Sequence, residues 1–188
     1  MDLANQSKYP VKFIQTLEGG TAHVILFSDG QKYVVKWNGT EPKRRKEVVN
    51  EYIVSKLAEL LLLPIIPFEL VYIPEAFIKN TPQLKSKKHH FDPGYHYGCL
   101  FIENCVVFEK VRKAPPLKEN VQNYDMLAGI MVFDQWVNNS DRSTMNVILE
   151  RRDKKQIKYI IFNVVLLCQM VTSVIPTVTS PSWKNSIT

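Results

Sequence analysis

The chain has 188 residues, of which 45% are hydrophobic and 22% charged, and its net charge is +6. This profile excludes a collagen-like or low-complexity chain and wholesale disorder, and the length suits one domain or one small two-lobed unit with a real core. The charge is unevenly placed: the last 27 residues, Phe162 to Thr188, hold one charged group, Lys184.

Residues 11–37 read as three strands, VKFIQTLEGG, AHVILFSDG and QKYVVKW. Gly19-Gly20 breaks the first connection, and Ser28-Asp29-Gly30-Gln31 supplies a hairpin turn for the second. After a loop over 38–42, a helix is predicted from Lys43 to Leu63. Its apolar positions are Val48, Val49, Tyr52, Ile53, Leu57, Leu60 and Leu61, and Pro64 ends it. PIIPFELVYI (64–73) reads as an edge or connecting strand, and Pro74 as the start of a short helix.

Residues 80–98 read as a loop rich in Lys, His, Pro and Gly, and 99–111 as strand-like. A connection over 113–120 follows. Asn123 to Asn138 has the period of a mostly buried helix, with Tyr124, Leu127, Ile130, Met131, Phe133, Asp134 and Trp136. Residues 138–146 are a polar loop, and 147–161 two strands around a basic turn. The whole is an α+β chain with a strand-rich first half.

The basic runs at 43–46 and 85–90 read as solvated faces, without the aromatic interleaving of a nucleic-acid module. Three cysteines without a C-x-x-C pair make neither a disulfide framework nor a zinc motif, so a reducing cytoplasm is the expected compartment. The first ten residues have no signal-peptide pattern. Tyr159 to Trp183 is uncharged, but Asn163, Gln169, Thr172, Ser173 and Pro176 argue against insertion in a membrane.

Three features carry chemistry. Lys36 ends an alternating strand beside the Gly-Gly turn, where an ammonium and backbone amides together suit a polyphosphate. Glu51, or Glu47 one turn earlier on the same helix face, could pair with Lys36 and hold it. Asp141 and Asn146 are five apart on the polar loop, a carboxylate for a hydroxyl nucleophile and an oxygen ligand for magnesium. Each also has a bland reading, as a frayed strand lysine, solvated helix glutamates and a chance spacing.

In this order, the stretches 18–23, Tyr33-Val34-Val35-Lys36, Asn50-Glu51-Tyr52, 61–65, Phe133-Asp134-Gln135-Trp136 and Asn139-Ser140-Asp141-Arg142 resemble the bacterial HipA-like kinase family, within the protein-kinase-like superfamily. The resemblance covers residues 10–161. It implies a kinase-like fold: an antiparallel-sheet N-terminal lobe with one long helix (8–110), a partial, helix-led C-terminal lobe (111–161) and an atypical tail (162–188). It implies ATP and Mg2+ as cofactors, with Gly19 and Gly20 over the phosphates, Lys36 on the α/β-phosphates and Glu51 holding Lys36. Asp141 becomes the catalytic base, Asn146 a metal ligand, and Glu109, on a strand leading to the linker, a neighbour of the adenine. The implied partner is a hydroxyl-bearing substrate, protein being the first choice. A further protein partner is left open, and neither nucleic acid nor membrane is expected.

The family pattern expects a second metal-binding aspartate after the strand Lys158-Tyr159-Ile160-Ile161, where this chain has Phe162-Asn163. A neutral amide at Asn163 brings no charge to magnesium. The uncharged stretch starts at the same point. The expectation is therefore a chain truncated or frameshifted after residue 161, with impaired phosphoryl transfer; its rival is a real but short C-terminal segment that packs apolar strands on the lobe. The alternatives are a non-catalytic nucleotide-binding or protein-interaction module, and an unrelated RNA-binding domain.

Overall fold

The computed structural model describes residues 8–17, 21–37, 42–85, 90–113, 116, 118–139, 147–153 and 158–163. β1 (Pro10–Thr16), β2 (Ala22–Phe27) and β3 (Lys32–Lys36) form a meander. α1 (Pro42–Leu60), β4 (Phe68–Ile73), α2 (Glu75–Asn80) and β5 (Gly94–Leu100) follow. Then come β6 (Cys105–Val107), α3 (Phe108–Val111), α4 (Met126–Trp136) and the hairpin of β7 (Val147–Asp153) and β8 (Lys158–Asn163). The described strands make an antiparallel sheet in the order β1-β2-β3-β5-β4 and a smaller one in the order β6-β7-β8. The expected α+β class is the one that forms.

The hairpin turn is where its residues put it. Gly30 N–H donates to the Phe27 carbonyl and Gly30 takes φ 79°, the left-handed residue of a three-residue hairpin loop. Asp29 Oδ1 accepts from Gln31 N–H at 3.0 Å and stiffens it.

The period of two along each strand sorts side chains to two buried faces. Ala22, Val24, Val34, Tyr97 and Cys99 face α1 and cluster with its Val48 and with Leu17, Ile66 and Ile148. Ile25, Phe27, Tyr33, Val35, Trp37, Val71 and Ile73 face the other way and meet Leu84 and Phe91 from the segment after β4. Ile148 belongs to β7, so the smaller sheet packs into the core of the larger. Ile130 of α4 packs on Leu149 and Val121 in a third cluster.

Five expectations are corrected. The loop expected over 80–98 contains the first part of β5. The sequence GYHYGCL hides a strand because glycine and histidine dilute its pattern, yet it is the sheet's inner strand between β3 and β4. Gly98 lies close against β4: a Cβ there would stand 3.0 Å from Val71 Cγ1, so that valine would have to shift. The continuous strand over 99–111 is instead β5, a break, β6 and the helix α3, and Glu109 lies on that helix.

α1 ends at Leu60, short of Leu63. Leu62 adopts φ 56°, and the amides of Leu62 and Leu63 close on the carbonyls of Glu59 and Ala58, a Schellman arrangement with leucine in the left-handed position usually held by glycine. The apolar stripe of α1 is not its buried face. Val48, Glu51, Ser55 and Ala58 are buried, whereas Val49, Ile53, Leu60 and Leu61 are exposed. Finally, α4 is half-buried rather than mostly buried: Ile130, Phe133 and Asp134 are inside, Met131 and Trp136 outside.

Candidate active site

Three elements converge on Lys36. It is the last residue of β3, paired across the sheet with Ala22 of β2 on one side and Tyr97 of β5 on the other. Val34, two residues earlier, faces the α1 core, and the alternation sends the Lys36 side chain to the same side. There Lys36 Nζ stands 2.7 Å from Glu51 Oε1, and the two side chains are only 11% and 7% exposed. Glu51 is thus the helix carboxylate that meets the lysine; the side chain of Glu47 lies outside the described residues. A buried ammonium of this kind, fixed by one carboxylate, is chemically suited to an anionic ligand.

The connection carrying Gly19 and Gly20 also lies outside the described residues, but its anchors do not. Leu17 N–H donates to the Ala22 carbonyl at 2.8 Å, which closes the β1–β2 hairpin next to Lys36. Asp141 and Asn146 fall outside as well. Asn163 ends β8, and the register sets it opposite Val147 of β7. Glu109 pairs with Arg112 at 2.8 Å on α3.

Sequence reasoning missed the role of Asp134. It is buried on α4 and accepts from Asn139 Nδ2 at 2.9 Å, while its carbonyl accepts from Asn139 N–H at 2.8 Å. Asn138, at φ 53°, makes the left-handed turn between them. The helix end and the first residues of the polar loop are thereby fixed to each other. The available signal was an acidic residue on the apolar face of a helix.

The sheet's other face carries two buried histidines. His23 Nδ1 accepts from Trp37 Nε1–H at 2.7 Å, which leaves its own proton on Nε2. His96 Nε2 lies 2.9 Å from the Asp92 carbonyl, and its ring is 4.7 Å from that of Trp37. Burial pushes the His96 pKa down to about 4. Among the described residues no group of three or more His, Cys, Asp or Glu could hold a metal ion, and no helix is long and apolar enough to cross a membrane.

An antiparallel sheet whose third strand offers a lysine to a glutamate on the next long helix is compatible with a kinase-like fold. Residues 11–184 match the HipA-like kinase family, and the chain belongs to that family. The match runs past residue 161, where family-like sequence was expected to stop, and through most of the uncharged stretch. No curated protein matches the chain.

Proposed function

We propose that this chain is a phosphotransferase of the HipA-like class that uses ATP and magnesium to modify a hydroxyl acceptor, with activity weakened by its own sequence. The observation that carries the reading is the buried Lys36–Glu51 ion pair, 2.7 Å long, between β3 and α1. A buried ion pair seldom adds net stability over apolar packing, so its presence points to use. ATP, when bound, supplies the phosphoryl group. Lys36 orients its α/β-phosphates together with the amides around Gly19 and Gly20, and Glu51 keeps the ammonium in place. Asp141 aligns or deprotonates the acceptor hydroxyl. Asn146 and Asn163 offer amide oxygens, donors that magnesium accepts.

The weakness follows from Asn163. Where the family pattern has a carboxylate, an amide brings an oxygen without a charge. The same residue favours the second reading, a nucleotide-binding or protein-interaction module without turnover. On the first reading, residues 8–110 form the nucleotide lobe and 111–161 a partial second lobe. The chain then works in the cytoplasm on a hydroxyl-bearing substrate, protein by preference.

A thermal-shift titration with ATP and magnesium tests this. Wild type is expected to gain stability with a saturable dose dependence, and Lys36→Met to gain none. Phosphate transfer, where detected, is expected to vanish in Asp141→Ala. No shift in either protein would remove the nucleotide-binding reading.

A further inference from the structure

The Lys36–Glu51 pair needs α1 to sit at one height and one rotation on the sheet, and the ion pair alone does not set both. A second buried polar contact lies one helical turn further on. Ser55 Oγ and the Tyr97 hydroxyl share a hydrogen bond of 3.0 Å, and both residues are buried. Ser55 is four residues after Glu51, on the same face of α1. Tyr97 is the residue directly opposite Lys36 in the β3–β5 register. The two contacts therefore join the same two elements, helix and sheet, through four residues.

Tyr97 is itself held. Its ring stacks on Phe68 of β4 at 5.7 Å with 22° between planes, and Phe68 meets Tyr52 of α1 edge-on at 5.8 Å. Lys56 Nζ covers the Phe68 ring at 4.8 Å. The phenol is thus fixed by β4 and α1 together, and its hydroxyl is aimed at the helix. Turning α1 to withdraw Glu51 from Lys36 would strip a buried hydroxyl pair of its bond, which is costly in a site closed to water.

We propose that Tyr97 and Ser55 are positioning residues: their hydrogen bond sets the seat of α1 so that Glu51 reaches Lys36 and presents the ammonium to a nucleotide. The link to a nucleotide rests on the phosphotransferase reading above; the link to Lys36 does not.

The test measures two things in the full chain, for wild type, Tyr97→Phe, Ser55→Ala and the control Tyr33→Phe. The first is the rate at which Lys36 is acetylated without nucleotide, read by peptide mass spectrometry. The second is the affinity for magnesium–ATP. Tyr97→Phe and Ser55→Ala are each expected to raise the labelling rate several-fold and to weaken ATP binding by about fivefold, the loss of one buried hydrogen bond. Tyr33→Phe removes a hydroxyl from the other face of the sheet and is expected to label like wild type.

Labelling of Lys36 at the wild-type rate in both test variants would overturn the proposal, whatever the ATP affinity. So would equal acceleration by Tyr33→Phe, which would mark general loosening. Faster labelling with unchanged ATP affinity would overturn the nucleotide half. Faster labelling in a wild-type background that binds no ATP would uphold the positioning contact and sink the phosphotransferase reading instead.

Discussion

The two faces of the five-stranded sheet solve the same problem with different chemistry. On one face, the covering segment after β4 closes over aromatic rings and two histidines, where His23 accepts from the Trp37 indole and His96 meets the Asp92 carbonyl, both neutral partners. On the other face, α1 closes over a full charge pair, Lys36 and Glu51. A core built for stability alone would use the first solution twice, since neutral groups are far cheaper to bury than charged ones. The contrast sets the two faces apart: both carry apolar core, and one of them also buries an ion pair.

The strongest way to break that comparison is to remove one charge. Lys36→Met leaves the Glu51 carboxylate buried without its ammonium, and a loss of about 3 kcal/mol is expected in urea unfolding. The double variant Lys36→Met/Glu51→Leu is expected to regain most of that stability while binding no nucleotide. A double variant as unstable as the single one would mean that the pair is structural after all.

The histidine face should respond to pH instead. His96 is held neutral, with its pKa lowered by burial to about 4 from an ordinary 6.5. Between those values the unfolded chain binds a proton that the folded chain refuses. Stability from this residue is therefore complete above pH 6.5 and falls as pH drops towards 4, by on the order of 3 kcal/mol in all. The groups facing it are the Asp92 carbonyl and the Trp37 ring, with the Asp92 carboxylate paired to His90 nearby. Urea midpoints measured from pH 7.5 to 4.5 are expected to show that slope in wild type and a flatter one in His96→Gln. Equal slopes would assign the acid sensitivity to other groups.

What the sequence revealed and hid follows from these faces. The β1–β2–β3 meander was legible because its strands alternate and its turn carries Gly30 at the position that needs a left-handed residue. Lys36 and a helix glutamate were legible as a pair, but not which glutamate, because side-chain reach depends on how α1 is seated. β5 was hidden by Gly94, His96 and Gly98, of which Gly94 takes φ 131° and Gly98 lies close against Val71 of β4, demands that local propensity does not show. The burial of Asp134 was hidden for a like reason: its partner, Asn139, approaches only once the helix end has formed. Gly19, Gly20, Asp141 and Asn146 remain readings of the sequence.

The apolar stripe of α1 gives the mildest and most counter-intuitive test. Helical period alone would put Ile53 and Leu60 in the core, yet they are 51% and 77% exposed, whereas Ala58 is fully buried. Glu51, Ser55 and Ala58 follow one another along the face that meets the sheet, and Ile53 and Leu60 lie off it. Leu60→Gln and Ile53→Gln are therefore expected to change stability by no more than about 0.5 kcal/mol, the range of ordinary surface sites. Ala58→Val, a far smaller change in character, is expected to cost about 1–3 kcal/mol by overpacking. Chemical denaturation of the three variants decides it. A large loss in Leu60→Gln with none in Ala58→Val would mean that α1 turns its leucines inward, and Glu51 could not then face Lys36.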